Sequence, residues 1–481
     1  MILSEILSGI NYQIIQGDLN KEIVNVGYDS RANLANGLFI AIAGFKTDGH
    51  NFILNAIQHA SAIVVERDIS GIPDYVTVIK VQNTRKALSA IAANFYCNPT
   101  AKIKLIAITG TNGKTSVSYI LSSILQSMGY KVGIIGTNGV RINEKLLTHV
   151  NKTTPTTPES LDIQYIVDLM VRDGVQIVVM ETSSMGLKLG RLDHCAIDVG
   201  VFTNLSHDHL DDHGTFEDYR MSKQILFSLA DSAVINIDDD ASDYFMQPEK
   251  HSITYGIFKG PELGALDIEL FSDHSKFSVK FNDSVKAAFV PLPGQFNIYN
   301  TLAAIGACLS LGLHFEELID KISMVKQIDG RVEAIKNDKD VRIMIDYAHT
   351  PKALENVLET LKAAGRKRLI LVFGCGGNRD REKRSKMGQI GTSIADFSII
   401  TNDNPRHEPP EMIFEDICRG IVTENFKIVP DRREAIILAI QMAEKDDIIL
   451  VAGKGSEQYQ LVRDEKIPYS DKQTILDCLS F

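Results

Sequence analysis

The chain has 481 residues, which is too long for a single hydrophobic core and predicts about three domains. Its composition, 44% apolar and 23% charged, is typical of a soluble globular protein, and no apolar run is long enough to span a bilayer. The net charge of −11 argues against nucleic acid as a general partner, because phosphate backbones require a basic face.

The first residues, MILSEILSGINYQ, contain Glu5 and have no basic region or long apolar core, so we expect no signal peptide and no membrane association. The six cysteines are scattered without CxxC or zinc-like spacing, which predicts reduced thiols. We therefore expect a cytoplasmic protein, and a monomer.

Residues 1–100 predict a small α/β unit, with strands at Leu38–Ala43 and Ser61–Glu66 and a helix at Asn51–His59. The segment Asn98-Pro-Thr-Ala101 interrupts this pattern and marks the end of the first domain.

A phosphate-binding loop follows the next apolar run. The β-branched stretch from Ile103 ends in a glycine-bracketed turn, and a helical pattern then continues to about Met128. Backbone N–H groups and the helix dipole at such a turn face phosphates, a lysine neutralises oxygens and a hydroxyl holds Mg²⁺. The generic pattern has glycine where Ile108 stands, so the match is to the tighter form GTNGKT. The predicted ATP-binding residues here are Gly110, Thr111, Asn112, Gly113, Lys114, Thr115 and Ser116.

Alternating strands and helices continue to the end of the chain. Strands at Val175–Met180 and Val199–Thr203 predict a parallel sheet within a central domain, residues 101–328, and residues 250–292 predict a small antiparallel insertion. Residues 329–481 have strands at α/β spacing and predict a Rossmann-like domain; these strands are Val341–Asp346, Arg368–Phe373, Phe397–Thr401 and Asp447–Val451. The predicted fold is α/β with three domains: a small N-terminal α/β domain, a central phosphate-loop ATPase domain with a parallel sheet, and a Rossmann-like C-terminal domain.

Two segments of the central domain carry metal-binding groups. Glu181 follows an apolar strand directly, where a carboxylate is well placed to bind Mg²⁺. The segment Thr203–His213 is rich in histidine and aspartate, and an alternative interpretation is the HxHxDH pattern of dinuclear metallohydrolases. The spacing here is one residue longer, and that pattern does not occur with a phosphate loop. A single histidine, His209, beside a magnesium site is the more economical hypothesis.

Three further positions stand out by pattern alone. Lys223 lies in a helical segment, Glu217–Phe227, where a lysine is usually exposed. Asn297 and Asn300 lie on adjoining turns of a helix start, and Asp346 ends a strand, where it suits a ribose hydroxyl.

In this order, the fragments GTNGKT, E-x-SS, NLSHDHLD, GQFNIYN, DGR, DYAHTP and GCGGNRD resemble the Mur ligases, ATP-dependent enzymes that add amino acids to the peptidoglycan precursor. The resemblance covers essentially the whole chain. Further motifs resemble the members that add the third residue to UDP-N-acetylmuramoyl-L-alanyl-D-glutamate; they are Tyr28–Arg31, Thr153–Thr154, Glu181–Ser184, Gly374–Gly377, Asp403–Arg406 and Ala452–Glu457.

The resemblance implies a reaction through an acyl phosphate, with Lys114 stabilising the migrating phosphoryl group. It implies that Thr115, Glu181 and His209 hold two Mg²⁺ ions, and that Lys223 is carbamylated and becomes a magnesium ligand. It also implies contacts to adenine, phosphate and ribose from Asn297, Asn300, Arg331 and Asp346.

The N-terminal domain is expected to bind the UDP-sugar through Ser30 and the loop 44–50, and residues matching family contacts to the muramoyl dipeptide are Thr153, Thr154, Ser183 and Arg191. Two positions depart from the family pattern. Met185 and Ser456 stand where family members often have histidine.

The incoming amino acid is predicted to be meso-2,6-diaminopimelate. A guanidinium pairs with carboxylate bidentately, and Arg406 in the DNPR motif would recognise the distal carboxylate that L-lysine lacks. Arg379 would also pair with the substrate's carboxylates, Asn404 would assist, and Glu457 and the Gly453 carbonyl would take the distal ammonium. Asp403 is also predicted to bind the amino acid.

The same ligation with L-lysine or another diamino acid is the alternative. More distant rivals are the D-alanyl-D-alanine-adding ligase, a folylpolyglutamate synthetase, and a nucleotide-dependent regulator or metallohydrolase without ligase activity.

Overall fold

Three large β-sheets, each packed against helices, organise the chain. The computed structural model describes residues 1–44, 47–148, 150, 154–208, 210–363 and 367–479. Fully buried strands alternate with amphipathic helices, the pattern that places helices on the faces of mostly parallel sheets. The predicted α/β class, with one sheet in each of three units, is confirmed.

The N-terminal unit is a five-stranded sheet of order β1-β5-β4-β3-β2, in which β1 pairs antiparallel with β5 and the other pairs are parallel. Its strands are β1 (Tyr12–Gln16), β2 (Val26–Gly27), β3 (Leu38–Ile40), β4 (Ala62–Val65) and β5 (Thr77–Val81), and its helices are α1 (Leu3–Ile6), α2 (Ile53–Ala56) and α3 (Thr84–Phe95). Strand β3 ends earlier than predicted because the Ile42 carbonyl accepts a hydrogen bond from Gly49 N at 2.8 Å, which closes a loop instead of continuing the sheet. The predicted helix at Asn51–His59 is reduced to a 3₁₀ turn, Gly49–Phe52, followed by α2.

The central unit is built on an 11-stranded sheet of order β16-β15-β14-β13-β12-β11-β6-β10-β7-β8-β9. Its strands are β6 (Lys104–Thr109), β7 (Val132–Gly136), β8 (Gly139–Ile142), β9 (Lys145–Leu146), β10 (Ile177–Glu181), β11 (Ile197–Phe202), β12 (Ala230–Asn236), β13 (Ser252–Gly256), β14 (Leu263–Leu270), β15 (Ser275–Phe281) and β16 (Ser284–Val290). Its helices are α4 (Lys114–Ser127), α5 (Ser160–Arg172), α6 (Ser184–Lys188), α7 (Leu210–His213), α8 (Phe216–Leu229), α9 (Gln295–Ser310) and α10 (Phe315–Lys321).

Strand β6 lies in the middle of this sheet, between β10 and β11, and pairs in parallel with both. Apolar side chains of α4 and α9 pack on one face of the sheet, and those of α5 and α8 pack on the other. The carboxyl ends of β6 and β10 therefore meet at one edge, where ligands bind in open α/β sheets.

The segment 250–292 is not the separate antiparallel insertion that the sequence predicts. Strand β13 pairs in parallel with β12, and β14, β15 and β16 extend the same sheet, with antiparallel pairing between β14 and β15 and between β15 and β16. The alternating pattern of these strands marks the edge of the large sheet, where one face is only partly covered, rather than an independent unit.

The C-terminal unit has a six-stranded sheet of order β17-β18-β22-β19-β20-β21 and a two-stranded hairpin. Its strands are β17 (Glu333–Ile335), β18 (Arg342–Asp346), β19 (Leu369–Phe373), β20 (Phe397–Ile400), β21 (Phe426–Ile428), β22 (Ile448–Ala452), β23 (Tyr459–Val462) and β24 (Glu465–Pro468). Its helices are α11 (Pro351–Ala363), α12 (Glu382–Ile394), α13 (Pro410–Cys418), α14 (Arg432–Met442) and α15 (Asp471–Leu479). Two apolar clusters cover opposite faces of the sheet, as expected for a Rossmann-like unit.

Within the described residues, no helix has both the length and the apolar character needed to cross a lipid bilayer. All six cysteines are free, and Cys195, Cys308 and Cys375 are buried.

Candidate active site

The phosphate loop, residues 110–116, connects β6 to α4 in the middle of the central sheet. Gly110 has a φ of 145°, and a Cβ at this position would lie 1.9 Å from Thr203 Oγ1, so only glycine fits. Gly113 has a φ of 88° and is the N-cap of α4. The free N–H groups and positive dipole end of α4 therefore lie beside the loop, an arrangement that binds anions.

Lys114 is held close to this loop. Its Nζ donates to the carbonyl oxygens of Gly110 at 2.7 Å and Thr111 at 3.0 Å. Burial lowers the pKa of the ammonium, while the carboxylates of Glu181 and Asp208 act in the opposite direction. The ammonium therefore lies against the loop, beside the N-terminus of α4.

Glu181 ends β10 and is fully buried. Its Oε2 accepts hydrogen bonds from Thr115 Oγ1 and Thr137 Oγ1, both at 2.9 Å, and its Oε1 accepts one from Thr137 N at 3.1 Å. A Cβ on Gly136 would lie 2.1 Å from Oε1, so the neighbouring strand must carry glycine to admit the carboxylate.

The predicted magnesium ligands are brought together only in part. Thr115 and Glu181 are in contact and offer the hard oxygen atoms that Mg²⁺ prefers, so these residues fit the ion. The predicted third ligand, His209, lies outside the described residues. In the described ranges, no group of three or more histidine, cysteine or acidic side chains forms a metal cluster.

Lys223 lies on α8 and is buried, not exposed as its helical pattern alone would suggest. Its Nζ donates to Gly110 O at 3.0 Å, so the side chain reaches the phosphate loop from the other side of the sheet edge. Burial and the nearby Lys114 ammonium place the pKa of Lys223 well below its ordinary value. A buried amine of this kind is available in its neutral, nucleophilic form.

A cavity of about 460 Å³, the phosphate-loop cavity, opens beside the loop between the central and C-terminal units. Of the predicted ATP-binding residues, its lining includes Asn112, Gly113, Ser116, Asn300, Arg331 and Asp346. Asn297 does not line the cavity. Its Oδ1 instead accepts a hydrogen bond from Asn300 Nδ2 at 3.1 Å, so it orients Asn300 against the loop.

Arg331 connects the C-terminal unit to the phosphate loop. Its Nη2 donates to Thr115 Oγ1 at 3.2 Å, and its guanidinium lies over the Tyr347 ring, 4.6 Å from the centroid. The next residue, Val332, has a φ of 45°, which is strained for a β-branched side chain. Asp346 stabilises this turn, since its Oδ2 accepts from Val332 N at 2.7 Å. Burial raises the pKa of Asp346, against the opposing effect of Arg331.

A second cavity, of about 140 Å³, is lined mainly by the C-terminal unit, with Asp208 and Asp211 of the central unit on one side; it is called the DNPR cavity. All the residues predicted to bind the amino acid line it, although they are far apart in sequence; they are Arg379, Asp403, Asn404, Arg406, Gly453 and Glu457. Gly453 has a φ of 113°, and a Cβ there would lie 2.6 Å from Asp403 Oδ2, so the close packing of the wall requires glycine.

The two arginines of the DNPR cavity are fixed differently. Arg406 donates from Nη1 to Gly377 O at 2.8 Å, and burial together with the nearby Arg379 lowers its pKa. Arg379 donates to Asp211 Oδ2 of α7 at 2.8 Å, a contact that joins the C-terminal unit to the central one. The cavity therefore contains a partly buried guanidinium whose charge a carboxylate ligand would balance.

Of the residues predicted to bind the muramoyl dipeptide, Thr154, Ser183 and Arg191 converge on Thr157. The Thr154 hydroxyl donates to Thr157 O, and Arg191 Nη1 donates to the same carbonyl at 2.9 Å. Thr157 Oγ1 lies 3.1 Å from Ser183 Oγ. Thr153 and residues 45–46, which belong to the loop 44–50 predicted to bind the UDP-sugar, lie outside the described residues. Ser30 lies in the turn after β2.

The phosphate-loop cavity and the DNPR cavity share a wall. Tyr347 and His349, which follow β18, line both cavities. The two rings are in edge-to-face contact with centroids 4.8 Å apart, and His349 Nδ1 lies 2.9 Å from Tyr347 O. A phosphate donor in one cavity and an amine in the other would therefore be close neighbours, separated only by these two side chains.

Comparison with known protein families agrees with this architecture. Family models described as the Mur ligase family catalytic domain, the Mur ligase middle domain and the Mur ligase glutamate ligase domain match residues 22–96, 108–308 and 330–455. The chain belongs to the Mur ligase family. The three matched ranges leave residues 97–107 and 309–329 between them.

Full-length Mur ligases resemble this one closely. The UDP-N-acetylmuramoyl-L-alanyl-D-glutamate–2,6-diaminopimelate ligase of Caldanaerobacter subterraneus subsp. tengcongensis is 44% identical, over 100% of this chain and 99% of the relative. Ligase 1 of that name from Clostridium acetobutylicum is 42% identical, over 99% of this chain and 98% of its own. A solved structure of a UDP-N-acetylmuramoyl-L-alanyl-D-glutamate–2,6-diaminopimelate ligase has a TM-score of 0.70 and 31% identity, covering 100% of this chain and 99% of that one.

Two features of the site in this Mur ligase, the Glu159 bridge and Thr137, were not predicted from the sequence. Glu159 bridges two units, since its Oε1 lies 3.0 Å from Arg85 Nη1 of α3 and 2.8 Å from Arg191 Nη2. No local pattern identifies this pair, because the partners are distant in sequence. Thr137 follows a glycine-rich strand, and no motif around it indicates a functional role. In the fold its hydroxyl donates a hydrogen bond to Glu181 Oε2.

Of the two departures from the family pattern, Ser456 has a clear structural partner in this Mur ligase. Its Oγ donates to Asn138 Oδ1 at 2.9 Å, which joins the C-terminal unit to the turn between β7 and β8. Met185 lies in α6, directly after Ser184, whose Oγ is 2.8 Å from His213 Nε2.

Proposed function

We propose that this Mur ligase joins meso-2,6-diaminopimelate to the D-glutamyl side-chain carboxyl group of UDP-N-acetylmuramoyl-L-alanyl-D-glutamate, with ATP converted to ADP and phosphate, in peptidoglycan precursor synthesis. The observation that carries the proposal is the wall of Tyr347 and His349 between the phosphate-loop cavity and the DNPR cavity. Relatives bearing the name of this activity are 42% and 44% identical over almost the entire chain.

The reaction has two steps. The D-glutamyl carboxylate oxygen attacks the γ-phosphorus of ATP, which forms an acyl phosphate and releases ADP. The amine of the diamino acid then attacks the acyl carbon, and the tetrahedral adduct loses phosphate and a proton to give the amide. Chemistry of this kind depends mainly on positioning and on stabilising charge at the transferred phosphoryl group.

Lys114 and the phosphate loop would supply that charge stabilisation. The ammonium lies beside the N-terminus of α4, where N–H groups point towards phosphate oxygens. Adenine, ribose and phosphate contacts are assigned to Asn300, Arg331 and Asp346, which line the same cavity. Asn297 would act by orienting Asn300.

Thr115, Glu181, His209 and Lys223, the last as its carbamate, are the proposed ligands of two Mg²⁺ ions. Bound Mg²⁺ would offset negative charge on the phosphate oxygens. The lowered pKa of the buried Lys223 amine supports the carbamate assignment, because only an unprotonated amine adds carbon dioxide.

The muramoyl dipeptide is assigned to Thr153, Thr154, Ser183 and Arg191, and the uridine diphosphate end to Ser30 and the loop 44–50. Arg191 is buried and pairs with Glu159 at 2.8 Å, which fixes its guanidinium against Thr157, where Thr154 and Ser183 also converge.

The test is a substrate-dependence assay with the full-length chain. Phosphate release is measured with ATP, the UDP-muramoyl dipeptide and a panel of amino acids, and the product mass is recorded. We expect release to require both substrates and kcat/KM for meso-diaminopimelate to exceed that for L-lysine by about 30-fold or more, because lysine leaves Arg406 unpaired. Phosphate release without either substrate, or equal use of L-lysine, would contradict the proposal.

A further inference from the structure

Lys454, in the GKGSE motif after β22, is a cation with no exposed surface, yet the mechanism above gives it no role. Fully buried lysines are rare unless their charge is paired. Asn404 and Glu457 line the DNPR cavity, and Lys454 lies behind them.

The Lys454 ammonium contacts both of these wall residues. Its Nζ donates to Asn404 Oδ1 at 3.0 Å and to Glu457 Oε2 at 2.8 Å. Asn404 Nδ2 donates to the same Glu457 Oε2 at 3.0 Å, which closes a three-membered network. Lys454 and Asn404 are buried and Glu457 is partly buried, so the geometry of this polar network is strongly constrained.

The network fixes which way the Asn404 amide faces. Its Oδ1 accepts from Lys454 Nζ and also from Leu461 N at 2.9 Å, so both lone pairs are used. A flipped amide would set its NH₂ group against these two donors and its oxygen against Glu457 Oε2. The amide can therefore offer the cavity only its remaining N–H, which is a donor suited to a carboxylate and not to an ammonium.

Within this network the two carboxylate oxygens of Glu457 have different hydrogen-bond partners. Oε2 is shared by Lys454 and Asn404, whereas Oε1 accepts no hydrogen bond from the described residues. Glu457 Oε1 is thus available to an ammonium, and it lies in the same cavity wall as the Asn404 N–H and the Arg406 guanidinium, which are available to a carboxylate.

We propose that Lys454 is a positioning residue that makes the DNPR cavity selective for a ligand with both a carboxylate and an ammonium at its distal end. It does so by fixing the Asn404 amide as a donor and by occupying one oxygen of Glu457. The inference rests on the proposed function and deepens it, since it names what orients the groups that meet the amino acid.

The test compares Lys454→Met with the full-length wild-type chain, using meso-diaminopimelate and L-lysine as substrates. In the variant the Asn404 oxygen loses the Lys454 donor and keeps only the one from Leu461 N, so the amide is held less firmly, which weakens binding of the distal carboxylate but affects lysine less. We expect KM for meso-diaminopimelate to rise about tenfold and the kcat/KM ratio of the two amino acids to fall about tenfold, with KM for ATP within about twofold of wild type.

Lys466→Met is the matched control. The exposed Lys466 also lies over the Tyr459 ring, at 4.6 Å from the centroid compared with 5.9 Å for Lys454, but it has no contact with the cavity wall. We expect this variant to behave as wild type. Lys454→Arg keeps the charge and several donors, and we expect it to retain the substrate ratio. Lys454→Gln, also without charge, provides a second test if the methionine variant does not fold.

Three results would overturn the inference: an unchanged substrate ratio in the folded Lys454→Met or Lys454→Gln variant, an equal loss with both amino acids, or a parallel rise in KM for ATP. A merely structural lysine would give one of these. A wild-type chain that ligates neither amino acid would overturn the proposed function itself, and the inference with it, so the two failures are distinguishable.

Discussion

Truncation of Arg406 is the sharpest test of the amino-acid assignment. Among the described residues the guanidinium makes one hydrogen bond, to Gly377 O, which leaves its other N–H groups for a ligand carboxylate. A hydrogen bond to a charged group contributes about 1.5–3 kcal/mol, which corresponds to about 10- to 150-fold in binding. We therefore expect Arg406→Ala to raise KM for meso-diaminopimelate by about that factor. Arg406→Lys keeps the charge but loses the planar, bidentate guanidinium, so its KM for meso-diaminopimelate should lie between those of wild type and Arg406→Ala.

The assay is steady-state phosphate release with each of the three substrates varied in turn. KM for ATP should remain within about twofold of wild type, because Arg406 does not line the phosphate-loop cavity. Arg463→Ala is the control, since that side chain is exposed and lies close in the fold, where Arg463 N donates to Arg406 O at 2.7 Å. An unchanged KM for the diamino acid in Arg406→Ala, or a change shared by Arg463→Ala, would refute the reasoning.

Two further predictions concern the central unit. Lys223→Ala should be nearly inactive and partly rescued by small carboxylates such as acetate, measured as phosphate release; full activity without rescue would remove the carbamate role. Glu159→Gln should lower the free energy of unfolding by about 3 kcal/mol in urea titrations, because two largely buried guanidinium groups lose their shared carboxylate. Asp168→Asn, which breaks an i,i+4 pair with an exposed arginine on α5, should cost less than about 1 kcal/mol, and an equal cost would contradict this interpretation.

Local motifs predicted the parts of the site that are built from adjacent residues. The phosphate loop and Glu181 follow directly from a strand, a turn and a helix, because the carboxyl ends of parallel strands meet at one edge of a sheet. The burial of Lys223 did not follow from its helical pattern, since exposure depends on which helix face meets the sheet.

Other features depend on long-range pairing that no short pattern encodes. The continuation of the central sheet through β13 is one case, since only the β12–β13 register shows that these strands belong together. The Arg85–Glu159 bridge is another, because it joins units that fold around separate cores. The resemblance to a family supplied residue assignments, but not the contacts that orient Asn404 or Asn300.

The position of Arg331 has a consequence for how binding in one cavity affects binding in the other. It belongs to the C-terminal unit, yet it reaches Thr115 of the phosphate loop and stacks on Tyr347, a side chain that also borders the DNPR cavity. Nucleotide bound against this arginine, as proposed, would favour one arrangement of the two units, the one that completes the DNPR cavity. By thermodynamic reciprocity, a ligand in the DNPR cavity would then raise the affinity for nucleotide by the same factor.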